Sequence, residues 1–409
     1  MLLTGVGLIN FNYSSLKRLV PIARTNVHLK DILFSSIKNS NGLNEFKRYV
    51  GNYFGYNYSC TYTSFMRCIY DILLQLKHSN PEKSIVIIPR YSCPSFSHAI
   101  RAANLKICYC DNNPTNLNMD LVNISQSDID QTLALISVNH FGLCNPMDKL
   151  SKKCKKHGIA LIEDLGYSLG SKYKNKILGT FGDYTILNFK EGKALPIGGA
   201  MALSRLESFG DWTKNRKKGS SKSLKNLIYP FVVNPHIYFF VTNLLNFFNF
   251  NYRRNLTMED TLIGAKAEED FVFDINDELN EISDFQASLG LKIFKNFKKE
   301  AIIRIRNAIR IEKSLSKVSN ITLIRRTQGT QLSHYLRYPL FVELNRKEDV
   351  CDNLVSIGIE ARDPYYEVLP EKAMYPGSYK VRNNIITIPT NSALLKSDIF
   401  KIGEILNNE

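Results

Sequence analysis

The sequence predicts an α/β protein: a large, doubly wound, mostly parallel sheet domain followed by a small C-terminal α+β domain. Two observations predict it. Short apolar runs rich in β-branched residues alternate with helical patterns between about residues 57 and 204, as parallel strands do when helices cover both faces of their sheet. Beyond them, a long Lys- and Arg-rich amphipathic pattern leads into a shorter strand–helix–strand series. A chain of 409 residues is long enough to bury two cores.

The elements follow in order. Asn57 to Tyr62 reads as a strand, and Phe65, Cys68, Ile69, Ile72, Leu73 and Leu76 then recur at helical spacing. Ser84–Pro89, Lys106–Asp111 and Leu133–Val138 are further apolar runs that stop at Pro, Asp or polar turns. Lys149 to His157 is a basic helix running into Gly158. Ile159–Asp164, Tyr184–Phe189 and Ala200–Ser204 complete the large sheet. A helix from Phe285 to about Leu315 bridges to a small domain with strands at Tyr338–Glu343 and Ile385–Ile388 and a helix at Lys347–Ser356. The expected organisation is an N-terminal segment at 1–35, a large domain at 36–290 with an insertion at about 206–270, and a small domain at 291–409.

Composition narrows the function classes. The chain carries 53 basic and 38 acidic residues, a net charge of +15, which suits a polyanionic partner. Nucleic acid is the least favoured one, because no helix-turn-helix, zinc-finger or RNA-binding signature occurs. The eight cysteines are scattered, without CxxC pairs or zinc spacing, as expected of buried thiols in a reducing compartment. The first residues show no basic leader, long apolar stretch or cleavage site. A cytoplasmic protein is expected. Gly5-Val6-Gly7 is a lone GxG that neither follows a strand nor ends in a third glycine, so a dinucleotide site is not expected. No Walker lysine motif and no metal-ligand pairing is present.

Asp164 closes one apolar run, and Lys193 follows the next, within Asn188-Phe-Lys-Glu-Gly-Lys193. Ligands of open α/β sheets collect where such strands end. A carboxylate and an amine delivered to that edge suit pyridoxal 5′-phosphate (PLP): the first keeps a pyridine nitrogen protonated and the second forms an imine. Either residue alone reads as a turn or solvated-loop residue. Together, with the Gly179-Thr-Phe-Gly-Asp183 turn between them, they favour the cofactor. Lys190 is the rival amine; Lys193 is preferred because Gly192 before it and Gly198-Gly199 after it permit close backbone approach to a ligand. Thr63 and Ser64 precede the helix at Phe65, where hydroxyls and free amides can cap the helix or cradle a phosphate.

These motifs resemble the nucleotide-sugar aminotransferases of the DegT/DnrJ/EryC1/StrS group, PLP enzymes of fold type I. Leu161-Ile-Glu-Asp-Leu-Gly-Tyr-Ser-Leu-Gly170 is similar to that family's "IEDAAQALG", and Gly179-Thr-Phe-Gly-Asp183 to its "GSFGD". Asn188 to Lys193 stands for "SFxxxK", Gly198-Gly-Ala200 for "GEGG", Asn139-His-Phe-Gly142 for "HLYG", Ile282-Ser-Asp-Phe-Gln-Ala287 for "MSELQA", and Gly358-Ile-Glu-Ala-Arg362 for "GIEAR". The resemblance implies that Asp164 pairs with the pyridine nitrogen, that Lys193 is the imine-forming lysine and proton shuttle, and that Ser64 helps bind the phosphate. Thr63, Phe65, Tyr91, Cys93, Tyr167 and Asn188 line the cofactor on the same grounds. His140, Lys190 and Arg362 fall on the substrate side. The chain departs from the pattern at Phe65-Met66, where the family has Gly-Thr, at Tyr167 in place of glutamine and at Asn188 in place of serine. It departs also at Cys93, which stands where the family has its ring-stacking aromatic, so that role falls to Tyr91 or is lost. The family's partner-subunit asparagine aligns near Leu279 and Asn280.

The resemblance implies a PLP-dependent aminotransferase, a homodimer, that moves an amino group from glutamate to a keto-sugar on a nucleotide or lipid carrier, for cell-surface polysaccharide or amino-sugar synthesis. Lys193 argues against the sugar dehydratases among the relatives, which carry histidine there. The alternative is a non-catalytic or altered-reaction relative acting as a membrane-associated or regulatory binding protein.

One segment fits none of this. Six basic residues and no acid lie between Lys214 and Lys225, and no charged residue occurs from Asn226 to Tyr252 before Arg253 and Arg254. A helix over His236 to Phe250 would reach roughly 22 Å, short of the ~30 Å of a bilayer core. Thr242, Asn243, Asn246 and Asn249 share one side; Ile237, Phe240, Val241, Leu244, Leu245, Phe247 and Phe248 fill the rest. Two expectations stand: the helix lies in an anionic membrane surface at the inner face of the membrane, or it packs on the large domain or a partner subunit.

Overall fold

The computed structural model describes residues 18–36, 41–205, 216, 219, 228–229, 231–247, 280–362, 364 and 371–408. The main sheet has eight strands: β1 Tyr58–Tyr62, β2 Ile85–Pro89, β3 Lys106–Asn112, β4 Met119–Asp120, β5 Thr132–Val138, β6 Ala160–Asp164, β9 Tyr184–Asn188 and β10 Ala200–Ser204, with the short strands β7 Lys172–Tyr173 and β8 Lys176–Ile177 outside it. Its order is β1-β10-β9-β6-β5-β2-β3-β4. Pairing is parallel from β3 through β2, β5 and β6 to β9. β10 runs antiparallel to both β9 and β1.

Both faces of this sheet are covered, which is why its strands read as unbroken apolar runs. Ile87, Leu135, Leu161 and Leu187 point into one core; Val86, Ile136, Ile162 and Ile186 point into the other. Helices α1 Leu29–Ser36, α2 Gly42–Phe54, α3 Phe65–Ser79, α4 Pro94–Ala102, α5 Gln126–Asp130 and α6 Met147–Lys156 follow in chain order. The first core takes Phe46, Val50 and Phe54 of α2 with Leu150 of α6. The second takes Ile69, Ile72 and Leu73 of α3 with Phe96 and Ile100 of α4.

Later in the chain come α7 Pro235–Phe247 and α8 Asp284–Leu315. A capping box of Ser283 and Gln286 starts α8, giving two first-turn donors partners. Its first turns place Leu289, Ile293, Phe294 and Phe297 in the large domain, and its last turns place Ala308, Ile311 and Leu315 in the small one. The bridging role read from the sequence holds. The small domain is a three-stranded sheet of β11 Ile321–Leu323, β13 Arg337–Val342 and β14 Ile385–Pro389, all antiparallel, against α9 Lys347–Ser356, α10 Pro376–Asn384 and α11 Lys396–Asn408. A division at residue 291 is not clean, however: β12 Thr330–Leu332 pairs with β7 of the large domain.

Residues 18–25 form a strap that joins the two domains. Val20 bridges Ile359, the Ile22 amide donates to Glu360 (2.6 Å), Asn391 donates to the Pro21 carbonyl (2.8 Å), and Arg18 pairs with Asp398 (3.1 Å). Thr25 Oγ1 then donates to the Lys193 carbonyl (3.2 Å).

One expectation for the insertion is corrected. Arg216, counted among the basic residues facing a membrane, is buried: its guanidinium pairs with Asp71, which also accepts from Arg67 at 2.7 Å. The helix α7 also sits opposite to the usual sense. Tyr238 and Thr242 face inward, and Tyr238 donates to both oxygens of Glu360 (2.9 and 3.0 Å). Ile237, Phe240 and Leu244 face outward, 44%, 66% and 46% exposed. Lys214, Lys217, Lys218, Phe248, Asn249, Arg253, Arg254 and Leu279, like Gly5-Val6-Gly7, lie outside the described residues. Among the described residues no helix is long and apolar enough to cross a membrane.

Candidate active site

The C-terminal ends of β6 and β9 bring the predicted pair together. Asp164 is the last residue of β6 and is buried. Its Oδ1 accepts from the Gly166 amide at 2.9 Å, while its Oδ2 accepts no hydrogen bond among the described residues. Burial pushes its carboxyl up to about 6, against the Gly166 amide and the Lys193 charge, which both pull it down. Lys193 is half-buried on the turn after β9, and its Nζ stands 3.5 Å from the centre of the Tyr167 ring. Lys190 is exposed. The Gly166 position lies between the Asp164 carboxylate and Asn188, so Asp164, Asn188, Tyr167 and Lys193 share one edge.

The glycines near Lys193 serve the protein rather than an approach to ligand. A methyl at Gly199 (φ +83°) would meet the Tyr62 carbonyl and the Ile282 side chain. At Gly192 (φ +81°) it would sit 3.4 Å from Nη2 of Arg337. The Gly192 amide donates to the Tyr229 hydroxyl at 3.0 Å.

Ser64 caps α3, accepting from the Arg67 amide at 3.4 Å. Thr63 is exposed, and its amide and hydroxyl both donate to the Asn280 carbonyl (3.1 and 3.3 Å). Capping and phosphate binding are compatible, because the other first-turn amides of α3 remain for an anion. Phe65 packs edge-on against Phe96 at 5.6 Å. Cys93 precedes α4, bonded to Ser95 (3.4 Å). Tyr91 is buried, with its ring 5.4 Å from His140.

The substrate-side residues divide. His140 is fully buried beside Asn112 (3.4 Å), and burial pushes it down to about 3, so it is neutral at physiological pH and brings no charge to a diphosphate. Arg362 pairs with Glu360 and reaches the Tyr238 hydroxyl at 3.3 Å; its charge is already matched within the protein. Two residues that the motifs did not flag also meet the Lys193 turn: Tyr229, and Arg337, whose Cζ is 5.7 Å from the Tyr167 ring. Nothing in the local pattern of either announces it.

The sheet order and the bridging helix give the chain the fold of solved sugar aminotransferases. PseC of Helicobacter pylori, an aminotransferase involved in pseudoaminic acid biosynthesis, superposes with a TM-score of 0.69 at 13% identity, over 95% of this chain and 98% of that one. The GDP-4-keto-6-deoxy-D-mannose-3-dehydratase of Escherichia coli, with bound hydrated PLP, gives 0.70 at 16% identity, over 95% and 99%. Residues 24–218, a little under half of the chain, match the DegT/DnrJ/EryC1/StrS aminotransferase family. GDP-perosamine synthase of Escherichia coli O157:H7 is 28% identical over 127 residues, 31% of this chain and 35% of that protein. Sequence matches to curated relatives span 44% or less of those relatives' own length.

Proposed function

We propose that the protein is a PLP-dependent aminotransferase that transfers an amino group, from glutamate as the resemblance suggests, to a keto-sugar on a nucleotide or lipid carrier. The observation that carries the reading is Lys193 standing within electrostatic reach of the buried Asp164 at one strand edge. The residues fit the cofactor: Asp164 offers an open, buried carboxylate oxygen to a protonated ring nitrogen, and Lys193 offers an amine that makes no hydrogen bond among the described residues. Ser64 and the start of α3 suit the phosphate. When bound, PLP supplies an electron sink that makes the carbon next to the transferred nitrogen acidic.

What the protein does follows from its own groups. Asp164, desolvated by the sheet, keeps the ring nitrogen charged, because a carboxylate there is stabilised only by a cationic partner. Lys193, held over Tyr167, moves the proton at the reacting carbon. Tyr91 and Tyr167 are the buried rings available to confine the cofactor. The non-catalytic alternative has less support, since acid and amine are both retained.

A yellow holoprotein is expected, and borohydride should fix the cofactor on a peptide containing Lys193. Label on Lys190, or a colourless protein that gains no absorbance band with added PLP, would overturn the reading. We also propose a homodimer in the cytoplasm, consistent with the family. Contact of α7 with anionic membrane rests on its outward Ile237, Phe240 and Leu244, and cosedimentation with anionic vesicles tests it.

A further inference from the structure

We propose that a cleft at the outer edge of the small domain is a second ligand site, and that it takes a nucleoside diphosphate; the nucleoside rests on the aminotransferase reading, the anion site does not. The cleft holds about 460 Å³, the size of a small-molecule site rather than of a single ion. Its walls come from the edge strand β11, the end of β13, the C-terminal half of α10 and the large-domain loop at Pro114 and Thr115. The Arg325 amide donates to the Thr115 carbonyl at 2.9 Å, so the two domains are joined at its rim.

Charge points to an anion. Arg325 and Lys380 line the cleft, and neither forms an ion pair among the described residues. By contrast Arg326, the next residue, pairs with Glu312 outside the cleft. Glu343 is the one carboxylate among the described residues of the lining, and it bonds to neither cation. The cleft therefore keeps a surplus of positive charge, which a concave surface focuses on a bound anion. The wall that carries Lys380 is firmly placed. The Gly377 and Ser378 amides at the start of α10 donate to Asp111 of the large sheet (2.8 and 2.6 Å), and the Ser378 hydroxyl does so as well (2.6 Å).

Lining and size select an organic phosphate over a bare one. Pro114, Ile321 and Phe341 offer apolar surface to a base, and Thr115 and Thr322 offer hydroxyls to a sugar. Among the described strands β11 pairs with β13 alone, so main-chain donors and acceptors on its other side have no strand partner. The planar fork of Arg325 matches two phosphate oxygens at once. The cleft is separate from the catalytic edge: β13 meets the Lys193 turn at Arg337 and the cleft at Phe341 and Val342, roughly 15 Å further on at ~3.4 Å per residue.

Amide hydrogen exchange of the protein as purified, titrated with uridine diphosphate, guanosine diphosphate or pyrophosphate, tests this. At least one of the two nucleotides should protect residues 319–325 and 376–384, and more tightly than pyrophosphate does. Arg325→Ala combined with Lys380→Ala should raise the Kd read from that protection at least about tenfold, the scale of lost charge-assisted hydrogen bonds. Both side chains are exposed, so the double variant should fold; Lys380→Gln alone serves if circular dichroism shows that it does not. Lys193→Ala should leave the protection in place. Protection confined to the Lys193 edge, equal affinity for pyrophosphate, or an unchanged Kd in the variants would overturn the proposal. Binding of neither nucleotide would do so as well. A failure of the cofactor reading appears separately, as absence of the borohydride adduct, and leaves the exchange result decisive for the cleft.

Discussion

Asp164 sits where its charge is least welcome. Burial raises its carboxyl from an ordinary value near 3.8 to about 6, so between those values the folded chain holds a proton that the unfolded chain has lost. Stability attributable to this group therefore falls as pH rises through that window, by roughly 3 kcal/mol for a shift of this size. Glu163, raised by burial to about 7, contributes a slope of the same sign. Asp164→Asn should flatten the apoprotein's stability between pH 4 and 6.5 relative to the parent in urea titrations, and should weaken PLP binding while leaving the Lys193 imine able to form. At this scale the sequence was partly legible. Asp164 and Lys193 stand at strand ends, where the period of the apolar runs marks them. Arg337 was not legible, because β13 reaches the Lys193 turn only through tertiary packing far along the chain.

The turn after β8 shows how one side chain shapes an element. Glu163 is fully buried and accepts the amides of Gly179, Phe181 and Gly182 at 2.6–2.8 Å. The glycine–aromatic–aspartate motif read from the sequence is thus a loop wound around one carboxylate. Glu163→Ala strands three buried donors, each worth about 1 kcal/mol or more, so a loss of roughly 3 kcal/mol is expected in chemical denaturation. Seven of the eight strands of the main sheet were legible to within about a residue, since continuous burial leaves an unbroken apolar signature; the two-residue strands β4, β7 and β8 were not. The insertion was not. Its polar side faces inward because Glu360 waits there for Tyr238, a partner that helical periodicity cannot reveal. Arg216→Ala should accordingly cost about 3 kcal/mol of stability, the order expected for a broken buried ion pair, rather than alter vesicle binding.

Across the whole molecule, Glu360 gathers two distant segments, the strap through Ile22 and the insertion through Tyr238, and pairs with its near neighbour Arg362. Glu360→Ala should speed amide hydrogen exchange in residues 18–25 and in α7 together, while the large sheet keeps its protection. Separate effects on the two would show that the hub does not couple them. The two-domain plan was readable from the order of patterns. The strap was not, since residues 18–25 have no periodicity of their own and take their shape from the partners around them.

The strap also sets a timetable for biosynthesis. The floor of the lysine's loop is laid by Thr25, and the residues just before it, Arg18 to Ile22, are held by groups numbered 359 to 398. A nascent chain emerging from the ribosome can complete its large sheet after some two hundred residues. It cannot close the reactive edge until the last helix has cleared the exit tunnel.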